Sequence, residues 1–502
     1  MSEYDVVVIG AGNGGLSSAC TLAQGGVKTL LLEQHNVPGG YATSFCRGRF
    51  EFEVALHQLS GLGSPTNPGP LRKMLDELGV TGLLKWVDMK NLYRIIVPGL
   101  FDITLPANRE ATIEVLKKKF PEESENIEAF FELVYKCWNE FSEMYQYNFD
   151  SVDIESRLDP EASAEKYPTF FKYAFQNLEN VLNQHFKNPL LKMTVAAFSA
   201  YSGPPREICL IDLATWLFFY IEYGSYHIKG GSQALSNAIV KRFQENGGEI
   251  RFNCGVSKIL VENGSTTGVV AESGETIEAL YIVSNVSPLT VYTELIDRGH
   301  VPKGQLDSFK GSIIGPGTFI LYVGLDCEHS QLGIDETTNF VFAPKSWMMF
   351  SCYNVSNPEC SPPGTSVVTI IAFVGNERQW LGIPPDQYFE KKYEFADMVL
   401  GQMEQICPGF REHIEEIEVA TPLTNMRYAR APGGAIGGFK HYSKDFYLFP
   451  MNRSLIEGLH FVGAWANNPG GFHPTLMNGR AVGLDILKKL KKDGSTSREV
   501  KD

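Results

Sequence analysis

The sequence from Tyr4 to Leu16 reads YDVVVIGAGNGGL. Its apolar, mostly β-branched run from Val6 to Ile9 predicts a short buried parallel strand. The glycines that follow fit a GxGxxG turn from strand into helix: Gly10 permits the tight turn, Gly12 lets backbone approach a pyrophosphate, and Gly15 lets the helix pack on the strand. The start of that helix points its free N–H groups at phosphates. The stretch therefore predicts a dinucleotide-binding site.

The residues after this turn supply the context that a lone glycine motif lacks. Residues 16–23 continue as a helix, residues 27–32 form a second strand, and Glu33 follows directly. A carboxylate about 20 residues after the first glycine accepts hydrogen bonds from a ribose. We therefore assign Glu33 to the ribose of the cofactor, rather than to the role of an ordinary strand-end carboxylate. Gly10, Gly12, Asn13, Gly14 and Gly15, all inside the motif, are assigned to the cofactor with it.

A glycine pair, Gly39-Gly40, followed by Tyr41, adds a second place where backbone can approach the cofactor. The order of the GxGxxG motif, Glu33 and this pair resembles the large flavoprotein group that contains amine oxidases, phytoene desaturases, carotenoid isomerases, retinol saturases and the GDP-dissociation inhibitors. In that group the pair lies along the diphosphate and ribityl chain. The resemblance implies FAD as the cofactor, with Gly39, Gly40 and Tyr41 among its contacts.

Two later blocks carry the same resemblance. Residues 227–260 resemble the segment that brings a backbone amide to the adenine, and Val256 stands at the matching position. Residues 458–480 resemble the C-terminal motif of phytoene desaturases and carotenoid isomerases, in which a Gly-Ala pair ends a strand and a Pro-Gly-Gly loop follows. Retinol saturases do not share this loop. The resemblance implies that the last helix, expected to start near Thr475, meets the flavin ring, and that FAD contacts Gly463, Ala464, Gly470, Gly471 and Met477.

Chain length and the separated blocks predict two intertwined domains. A chain of 502 residues exceeds the size at which one hydrophobic core stops growing. We predict an α/β fold, in which a Rossmann-like FAD-binding domain of the glutathione reductase type, with a parallel central sheet, is interleaved with an α+β substrate domain. The FAD-binding domain takes residues 1–90, 226–290 and 425–502. The substrate-binding domain, with a helical, aromatic-rich portion, takes residues 91–225 and 291–424.

Composition limits the partners. The net charge of −14 argues against nucleic acid and against general attraction to anionic membranes. Nine cysteines without a CxxC pair indicate free thiols in a reducing compartment. Asp212 and Glu222 interrupt the apolar stretch 208–226, so no transmembrane helix is predicted. With no signal peptide before the first strand, we expect a cytoplasmic protein. The basic run 488–492 suits peripheral contact with the cytosolic membrane face, although a solvated helix end explains it equally well.

No Ser/His/Asp triad, metal-ligand cluster or Walker loop stands out in the sequence, which leaves the flavin as the reactive group. Abundant phenylalanine and tyrosine fit an apolar tunnel for a lipid or polyene, although aromatic residues also fill ordinary cores. Net saturation or desaturation needs a proton donor or acceptor, and we choose His57 first, then Tyr41 and His473.

The stretch 50–61 starts like a half-exposed strand. We place His57 on this strand, on the same face as Leu59. In the resembling group the stretch passes close to the flavin, and retinol saturases carry a histidine at this place. A purely structural role for His57 is the alternative.

Three functions stay open at the level of sequence. The first is an FAD-dependent saturase or desaturase acting on carbon–carbon bonds of a long isoprenoid, carotenoid, retinoid or related lipid. The second is a redox-neutral carotenoid cis–trans isomerase using reduced FAD, favoured by Gly463-Ala464 and the Pro-Gly-Gly loop and disfavoured by His57. The third is a non-catalytic escort of prenylated proteins of the GDP-dissociation-inhibitor type, against which the glycine pair at 39–40 stands. The sequence identifies neither the substrate nor the electron donor or acceptor.

Overall fold

Two seven-stranded sheets form the frame of the molecule. The computed structural model describes residues 3–144, 160–199, 202–343, 346–374, 378–440, 454–466 and 470–493. Two further small sheets have two strands each. Ser44–Arg47 pairs with Phe50–Glu53 in one, and Trp86–Met89 pairs with Ser225–Ile228 in the other. The chain passes between the two sheets several times, because each sheet takes strands from segments that are distant in sequence.

The first sheet is built around the opening glycine motif. Its strands, in order across the sheet, are Val256–Glu262, Ser265–Ala271, Thr276–Ser284, Tyr4–Ile9, Thr29–Leu32 and Glu249–Arg251, with Leu459–Phe461 beside the end of Thr276–Ser284. The last four of that order pair with one another in parallel, and Leu459–Phe461 pairs in parallel with Thr276–Ser284. The first three are joined by antiparallel pairing. Residues 4–9 are all buried, as a parallel strand covered on both faces requires.

Four helices share one apolar cluster with this sheet: Asn13–Gln24, Pro70–Glu77, Gly231–Glu245 and Phe472–Asp493. The first and last of them cross at very close range. A Cβ atom on Gly479 would lie 2.1 Å from the carbonyl oxygen of Gly14. Only glycine at position 479 therefore lets the last helix pack against the helix that follows the glycine motif.

The second sheet is almost entirely antiparallel. Its strands, in order, are Ile414–Ala420, Gly317–Leu325, Ser366–Val374, Ser346–Cys352, Thr338–Ala343, Asn91–Val97 and Phe101–Pro106. The exception is the parallel pair of Thr338–Ala343 with Asn91–Val97. Strand Gly317–Leu325 is buried along its whole length, because elements pack on both of its faces. One of these faces turns toward the first sheet and forms a wall of the cavity described below.

Helices cover the second sheet on both sides. They are Arg109–Lys119, Ser124–Met144, Pro160–Lys166, Pro168–Tyr173, Leu178–His185, Pro189–Ala196, Leu210–Ile221, Arg378–Leu381, Tyr388–Ile406 and Pro422–Ala429. Apolar residues at 127, 131, 134, 138, 141 and 145 step by four and three, a spacing that predicts one face of a helix. In Ser124–Met144 this face is buried, at Ile127, Phe131, Val134, Trp138 and Phe141. The next predicted position, 145, lies outside the described residues. These aromatic side chains join the largest apolar cluster of the protein.

The prediction of a strand through His57 is wrong. The strand that starts at Phe50 ends at Glu53, and His57 lies in the loop that follows. The Glu53 carboxylate accepts hydrogen bonds from the N–H groups of Ala55 and Leu56, at 3.3 and 3.0 Å. A side chain that satisfies the backbone locally competes with continued strand pairing, so the chain turns before it reaches His57.

The last helix also begins earlier than predicted, at Phe472 rather than near Thr475. Pro474 lies in the first turn of this helix. A proline there lacks only an N–H that a helix start leaves unbonded anyway, so the helix can begin before it. The Thr475 hydroxyl donates to the carbonyl oxygen of Gly471 at 2.6 Å, which ties this first turn to the loop before it.

Within the described ranges, no helix is both long enough and apolar enough to cross a membrane. The apolar helix Leu210–Ile221 instead lies among the aromatic residues of the large cluster. Its Asp212 carboxylate accepts from the N–H of Cys209 at 2.8 Å, as part of a helix cap. The boundaries of the two domains stay a prediction.

Candidate active site

A cavity of about 360 Å³ lies where the carboxyl ends of parallel strands face the second sheet. Two strands of the first sheet end there at Ile9 and Leu32, and Asn285 and Gly463 follow the ends of two others. Ligands of open parallel sheets bind at this edge, because the loops there and the starts of the helices converge on it. The facing wall comes from the second sheet and from helix Leu210–Ile221.

The first glycine motif forms a cradle with no room for side chains. A Cβ on Gly12 would lie 2.5 Å from Nδ2 of Asn285, and one on Gly14 would lie 2.5 Å from the backbone nitrogen of Gly463. Gly10, Gly12, Asn13 and Gly14 all line the cavity. The Asn13 side-chain oxygen is buried and has no hydrogen-bond partner among the described residues. A cradle of bare backbone at a helix start fits a diphosphate.

Gly15 and Met477, both predicted as cofactor contacts, lie behind the cavity wall rather than in it. A Cβ on Gly15 would lie 2.0 Å from the carbonyl oxygen of Gly10. Gly15 therefore serves the close packing of helix on strand. Met477 is 4% exposed and packs in the apolar cluster between the helices. Both residues shape the wall, and neither reaches the cavity.

Glu33 lies at one end of the cavity, 7% exposed. Its two carboxylate oxygens accept from the N–H groups of Ala11 and His35, at 2.7 and 2.8 Å. Burial raises the pKa of Glu33, and these N–H groups oppose the rise. Val256 lines the same end. The segment that leads into Val256 contacts Glu33, since the Cys254 N–H donates to the Glu33 carbonyl oxygen at 2.9 Å, although more than 200 positions separate the two segments.

The second glycine pair lies against the first motif. The Gly39 N–H donates to the carbonyl oxygen of Ala11 at 2.8 Å, and a Cβ on Gly40 would lie 3.4 Å from the Cα of Gly12. Gly39 and Gly40 have φ values of +125° and +61°, which favour glycine. Both line the cavity, so the two glycine motifs build one continuous backbone surface.

The third block closes this surface from the other side. Gly463, Ala464, Gly470 and Gly471 line the cavity, as do the first residues of helix Phe472–Asp493. The Gly463 N–H donates to the side chain of Asn478 at 3.1 Å. Pro469, the first residue of the predicted Pro-Gly-Gly loop, lies outside the described residues. The helix start thus borders the cavity, where its partial positive charge favours an anionic group.

Asn285 belongs to this site but was not among the residues predicted to bind the cofactor. It follows strand Thr276–Ser284, and its N–H donates to the carbonyl oxygen of Ile9 at 2.9 Å. Its side chain fills the space above two glycines, since Cβ atoms on Gly12 and Gly463 would lie 2.5 and 2.2 Å from it. The signal that could have identified it is a polar residue directly after a central parallel strand.

His57 faces the cavity and is 5% exposed. Its Nδ1 lies 3.0 Å from the hydroxyl oxygen of Tyr353, and the two rings are nearly parallel, 16° apart. Burial, with a smaller contribution from His227, lowers the pKa of His57 to about 3. The imidazole is therefore neutral at pH 7.

Tyr353 and His227 form the layer behind His57. The ring centroids of Tyr353 and His227 are 5.2 Å apart. His227 Nε2 lies 3.2 Å from the carbonyl oxygen of Leu56, and burial lowers the pKa of His227 to about 4. Neither residue was predicted from the sequence, because 296 positions separate Tyr353 from His57. The Tyr353 hydroxyl in this layer contacts Nδ1 of His57 and so fixes the orientation of the ring.

Tyr41 and His473, the other two predicted catalytic residues, also line the cavity. The Tyr41 hydroxyl donates to the carbonyl oxygen of Ala435 at 3.3 Å, and burial raises its pKa. His473 is 3% exposed, and burial lowers its pKa to about 3. Its ring meets the Phe219 ring edge-on, with centroids 4.6 Å apart. All three predicted residues thus face the cavity in uncharged form at pH 7.

The wall opposite the glycines is mainly apolar and aromatic. Ile320 and Ile371, on paired strands of the second sheet, face the cavity side by side. Trp216 and Tyr220 stack on successive turns of one helix, with ring planes 12° apart. The Tyr322 hydroxyl donates to the carbonyl oxygen of Val54 at 3.1 Å, so this polar group of a lining residue already has a partner within the protein. Such a wall binds apolar groups.

A group of metal-ligand types, not noticed in the sequence, lies away from the cavity. Asp326, Cys327 and His413 place ligand atoms within 4.8 Å of one another, at the end of one strand and the start of another. His413 Nδ1 is 2.8 Å from an oxygen of Asp326. A hydrogen bond between His413 and Asp326 accounts for this contact without a metal ion.

The site and the fold together define a dinucleotide-binding protein, because glycine backbone lines one side of the cavity and an apolar wall faces it. The model of the family of flavin-containing amine oxidoreductases matches residues 14–487. The chain therefore belongs to the flavin-containing amine oxidoreductase family. FAD is its cofactor, and the prediction of an FAD-dependent oxidoreductase is confirmed.

Relatives in this family carry the names expected from the resemblance. The chain is 26% identical to a chloroplastic prolycopene isomerase of Daucus carota, covering 92% of this chain and 76% of that protein. It is 26% identical to an all-trans-retinol 13,14-reductase of Danio rerio, covering 92% and 82%. It is 25% identical to a 4,4'-diapophytoene desaturase of a Methylomonas species, covering 96% and 95%. The predicted resemblance to this branch is confirmed.

Solved structures share the fold. An oxidoreductase from Methanosarcina mazei matches with a TM-score of 0.64 and 18% identity, covering 95% of this chain and 99% of that chain. A putrescine oxidase with bound putrescine matches with 0.62 and 14%, covering 97% and 99%. A Rab GDI from Plasmodium falciparum matches with 0.52 and 12%, covering 99% and 100%. At these identities the likeness shows the fold alone, and it confirms the predicted α/β class.

Proposed function

We propose that the protein transfers hydride between FAD and a carbon–carbon bond of a long apolar isoprenoid, such as a carotenoid, a retinoid or a related polyene lipid. The observation that carries this proposal is the wall opposite the glycines, where Ile320, Ile371, Trp216 and Tyr220 offer mainly hydrocarbon surface. The three titratable groups predicted as catalytic are uncharged there at pH 7. Three relatives named for polyene or retinol chemistry support the same substrate class.

The residues predicted to bind FAD can be assigned to successive parts of the cofactor, from the adenosine end to the flavin ring. We assign Glu33 and Val256 to the adenosine end, Gly12, Asn13 and Gly14 to the diphosphate, and the glycine pair at 39–40 to the ribityl chain. The start of helix Phe472–Asp493 suits the flavin ring, because its positive end stabilises negative charge that develops on reduction. When bound, FAD supplies hydride exchange at N5.

We assign the proton transfer to His57. A phenol is a good donor and a neutral imidazole nitrogen a good acceptor, so we take the Tyr353 hydroxyl as donor to Nδ1. This arrangement puts the imidazole proton on Nε2, the nitrogen that is left for the cavity. In the saturating direction the Nε2 proton would go to the carbon beside the one that takes the hydride, Nδ1 would take the Tyr353 proton, and a proton from solvent would restore the phenol between turnovers. In the desaturating direction Nε2 must start unprotonated, so Nδ1 would carry the imidazole proton and donate it to the Tyr353 oxygen, and Nε2 would accept the proton that leaves carbon.

Product masses test the proposal. FAD-loaded protein is incubated without oxygen with a panel of carotenes, phytoene-type polyenes and retinol, with oxidised FAD in one arm and chemically reduced FAD in the other. A product heavier by two hydrogens in the reduced arm, or lighter by two in the oxidised arm, supports saturation or desaturation. Apoprotein is the control. If both arms leave every polyene unchanged while FAD stays bound, the proposal is wrong.

The same assay separates the second candidate. Redox-neutral cis–trans isomerisation is favoured by the prolycopene isomerase relatives and by the predicted Gly463-Ala464 motif. A new isomer of unchanged mass, formed only with reduced FAD, would decide for it. The escort function is supported only by structural similarity to a Rab GDI at 12% identity, which shows the fold alone. We therefore do not propose it.

Peripheral membrane contact is a further proposal, since an apolar substrate resides in lipid. Lys488, Lys489, Lys491 and Lys492 are exposed at the end of helix Phe472–Asp493. Lys489 pairs with Asp485 at 2.8 Å, so this lysine also has an internal partner. Sedimentation with anionic vesicles tests the contact, and equal binding to neutral vesicles would contradict a role for the lysines. The cytoplasmic location and the electron donor or acceptor stay open predictions.

A further inference from the structure

Three segments of the chain meet at the end of the cavity that holds Glu33. One is the loop 33–35, and the second is the loop 253–256, joined to the first by N–H donation from Asn253 to His35 and from Cys254 to Glu33. The third is the end of helix Pro422–Ala429, whose residues 428–431 line the cavity. These segments border the place assigned to the adenosine end of FAD.

Arg430, in the third segment, bonds to Gln34 in the first and to Glu272, whose N–H donates to the carbonyl oxygen of Gly255 in the second at 2.7 Å. Its Nε donates to the side-chain oxygen of Gln34 at 2.8 Å, and its Nη2 donates to the carboxylate of Glu272 at 3.2 Å. Gln34, Glu272 and Arg430 all line the cavity. Gly255 makes the bridge feasible, because a Cβ there would lie 2.5 Å from the Glu272 carboxyl carbon.

The backbone of Arg430 is unusual. It has φ +50° and ψ +30°, in the left-handed region, directly after the helix. Among the described residues, the other non-glycine positions with positive φ are both asparagine, Asn253 and Asn263. Asparagine tolerates this region and arginine does so rarely. Strained residues that persist tend to mark ligand sites, and glycine, the usual residue at such a helix end, would offer no side chain for the bridge.

We propose that Arg430 is a clasp that holds the adenosine end of FAD in the cavity. The guanidinium fork joins the loop beyond the ribose carboxylate to Glu272 across the border of the cavity, so FAD leaves at this end only after the bridge opens. The clasp is a positioning device and takes no part in hydride or proton transfer. It rests on FAD as the cofactor and is independent of the proposed substrate.

The rate of FAD release tests the clasp without any substrate. FAD-loaded protein is diluted, and the rise of free-flavin fluorescence is followed for wild type, Arg430→Ala, Arg430→Asn and Arg430→Lys. We expect about three- to tenfold faster release for Ala and Asn, the range for losing two hydrogen bonds at a half-exposed site. Lys keeps the charge but not the fork, so we expect an intermediate rate. Asn keeps a left-handed backbone, which separates the side chain from the strain.

Matched variants separate the clasp from general stability. Arg47 is exposed to a similar degree, 48% against 53%, pairs with Glu418 at 2.7 Å and does not line the cavity. Arg47→Ala should therefore release FAD at the wild-type rate. Combining Arg430→Ala with Glu272→Ala should add little to Arg430→Ala alone, because both changes open the same bridge.

Three outcomes would overturn the clasp. The first is wild-type release, within about twofold, from both Arg430→Ala and Arg430→Asn. The second is faster release from Ala but not from Asn, which would assign the effect to the backbone. The third is equally fast release from Arg47→Ala, which would point to general loosening of the fold. Thermal unfolding of each apoprotein is measured in parallel, and we expect no loss of stability in Arg430→Asn.

Discussion

The two walls of the cavity are made in different ways. On one side stand glycines from three blocks of the chain, and a Cβ atom on Gly12, Gly14 or Gly463 would come within 2.5 Å of another residue. On the other side stand side chains such as Ile320 and Trp216, carried by the second sheet and its helices. The backbone of the glycines shapes one wall, and the volumes of apolar side chains shape the other.

This difference decides how each wall responds to change. A backbone wall tolerates no added atom, because the neighbour that a Cβ would strike is itself backbone or a buried side chain. A side-chain wall can exchange one apolar residue for another of similar volume at low cost. The first wall should therefore fail completely when altered, and the second should change in degree. The predictions below test this contrast.

The largest effect is expected from Gly14→Val. The new side chain would meet the backbone of Gly463 at 2.5 Å and the oxygen of Asn285 at 2.9 Å, so the cradle cannot close. We expect loss of FAD binding, measured as flavin absorbance per mole of purified protein. Gly82→Ala is the control, because a Cβ at Gly82 meets nothing within 4 Å. Stoichiometric FAD in Gly14→Val would contradict a backbone-built cradle.

The next largest effect is expected from His57→Gln. The change removes the proposed proton donor but touches no glycine of the cradle, so FAD should stay bound. We expect the chemical step, followed by single-turnover kinetics on the polyene that the mass assay identifies, to slow by about 100- to 10,000-fold. His413→Gln, far from the cavity beside Asp326, is the control. Full activity would make His57 structural, and loss of flavin would mean that it supports the fold.

The backbone wall was largely predictable from the sequence. Glycine spacing and Glu33 signal a local strand, turn and helix, and the ends of these elements in the structure lie within three residues of the predicted ones. The reason is that the constraint is local: each glycine is required by neighbours in the same motif. Even here Gly15 and Met477 were assigned to the cofactor and lie behind the wall.

The residues behind His57 could not be predicted. Tyr353 meets His57 from a position 296 residues away, and a contact of this kind depends on how the two sheets pack. The loop that holds His57 was mistaken for a strand, because the alternation of residues 50–53 gives no sign that Glu53 will bond to its own backbone. Arg430 carries no local signal either, since a left-handed arginine is rare enough to be excluded on propensity.

A third prediction concerns acid. The folded pKa values of His57, His227 and His473 are about 3, 4 and 3, below the unfolded value of about 6.5. Between these values the unfolded chain binds more protons than the folded one, so the free energy of unfolding falls as the pH drops below about 6.5. We expect a loss of roughly 1.6 kcal/mol per histidine between pH 6.5 and pH 5, because the slope rises from half of its limit at pH 6.5 toward the limit of about 1.4 kcal/mol per pH unit.

Urea unfolding of the FAD-loaded protein at several pH values measures this loss. His57→Gln removes one of the three titrating groups, so its free energy of unfolding should fall less steeply with decreasing pH. A wild-type slope in His57→Gln would mean that this imidazole is not held neutral by burial.

The smallest effect is expected at Thr318, the polar exception in the second wall. Its hydroxyl oxygen is buried, faces the cavity region and has no hydrogen-bond partner in the described part of the chain. An unbonded buried hydroxyl is destabilising. Thr318→Val keeps the shape and removes it, so we expect the free energy of unfolding to stay the same or rise by up to about 1 kcal/mol.

Thr369 is a matched control for this change. It is also fully buried on a strand of the second sheet, its hydroxyl also lacks a partner among the described residues, and it does not line the cavity. Both valine variants should therefore gain similar stability, measured by urea unfolding.

Only Thr318→Val can alter substrate binding. If the second wall recognises its ligand by apolar shape alone, KM should stay within about twofold of wild type in both variants. A KM raised about tenfold in Thr318→Val alone, a loss of about 1.4 kcal/mol, would show that the hydroxyl bonds a polar group of the substrate. The contrast between the two walls would then hold for shape but not for chemistry.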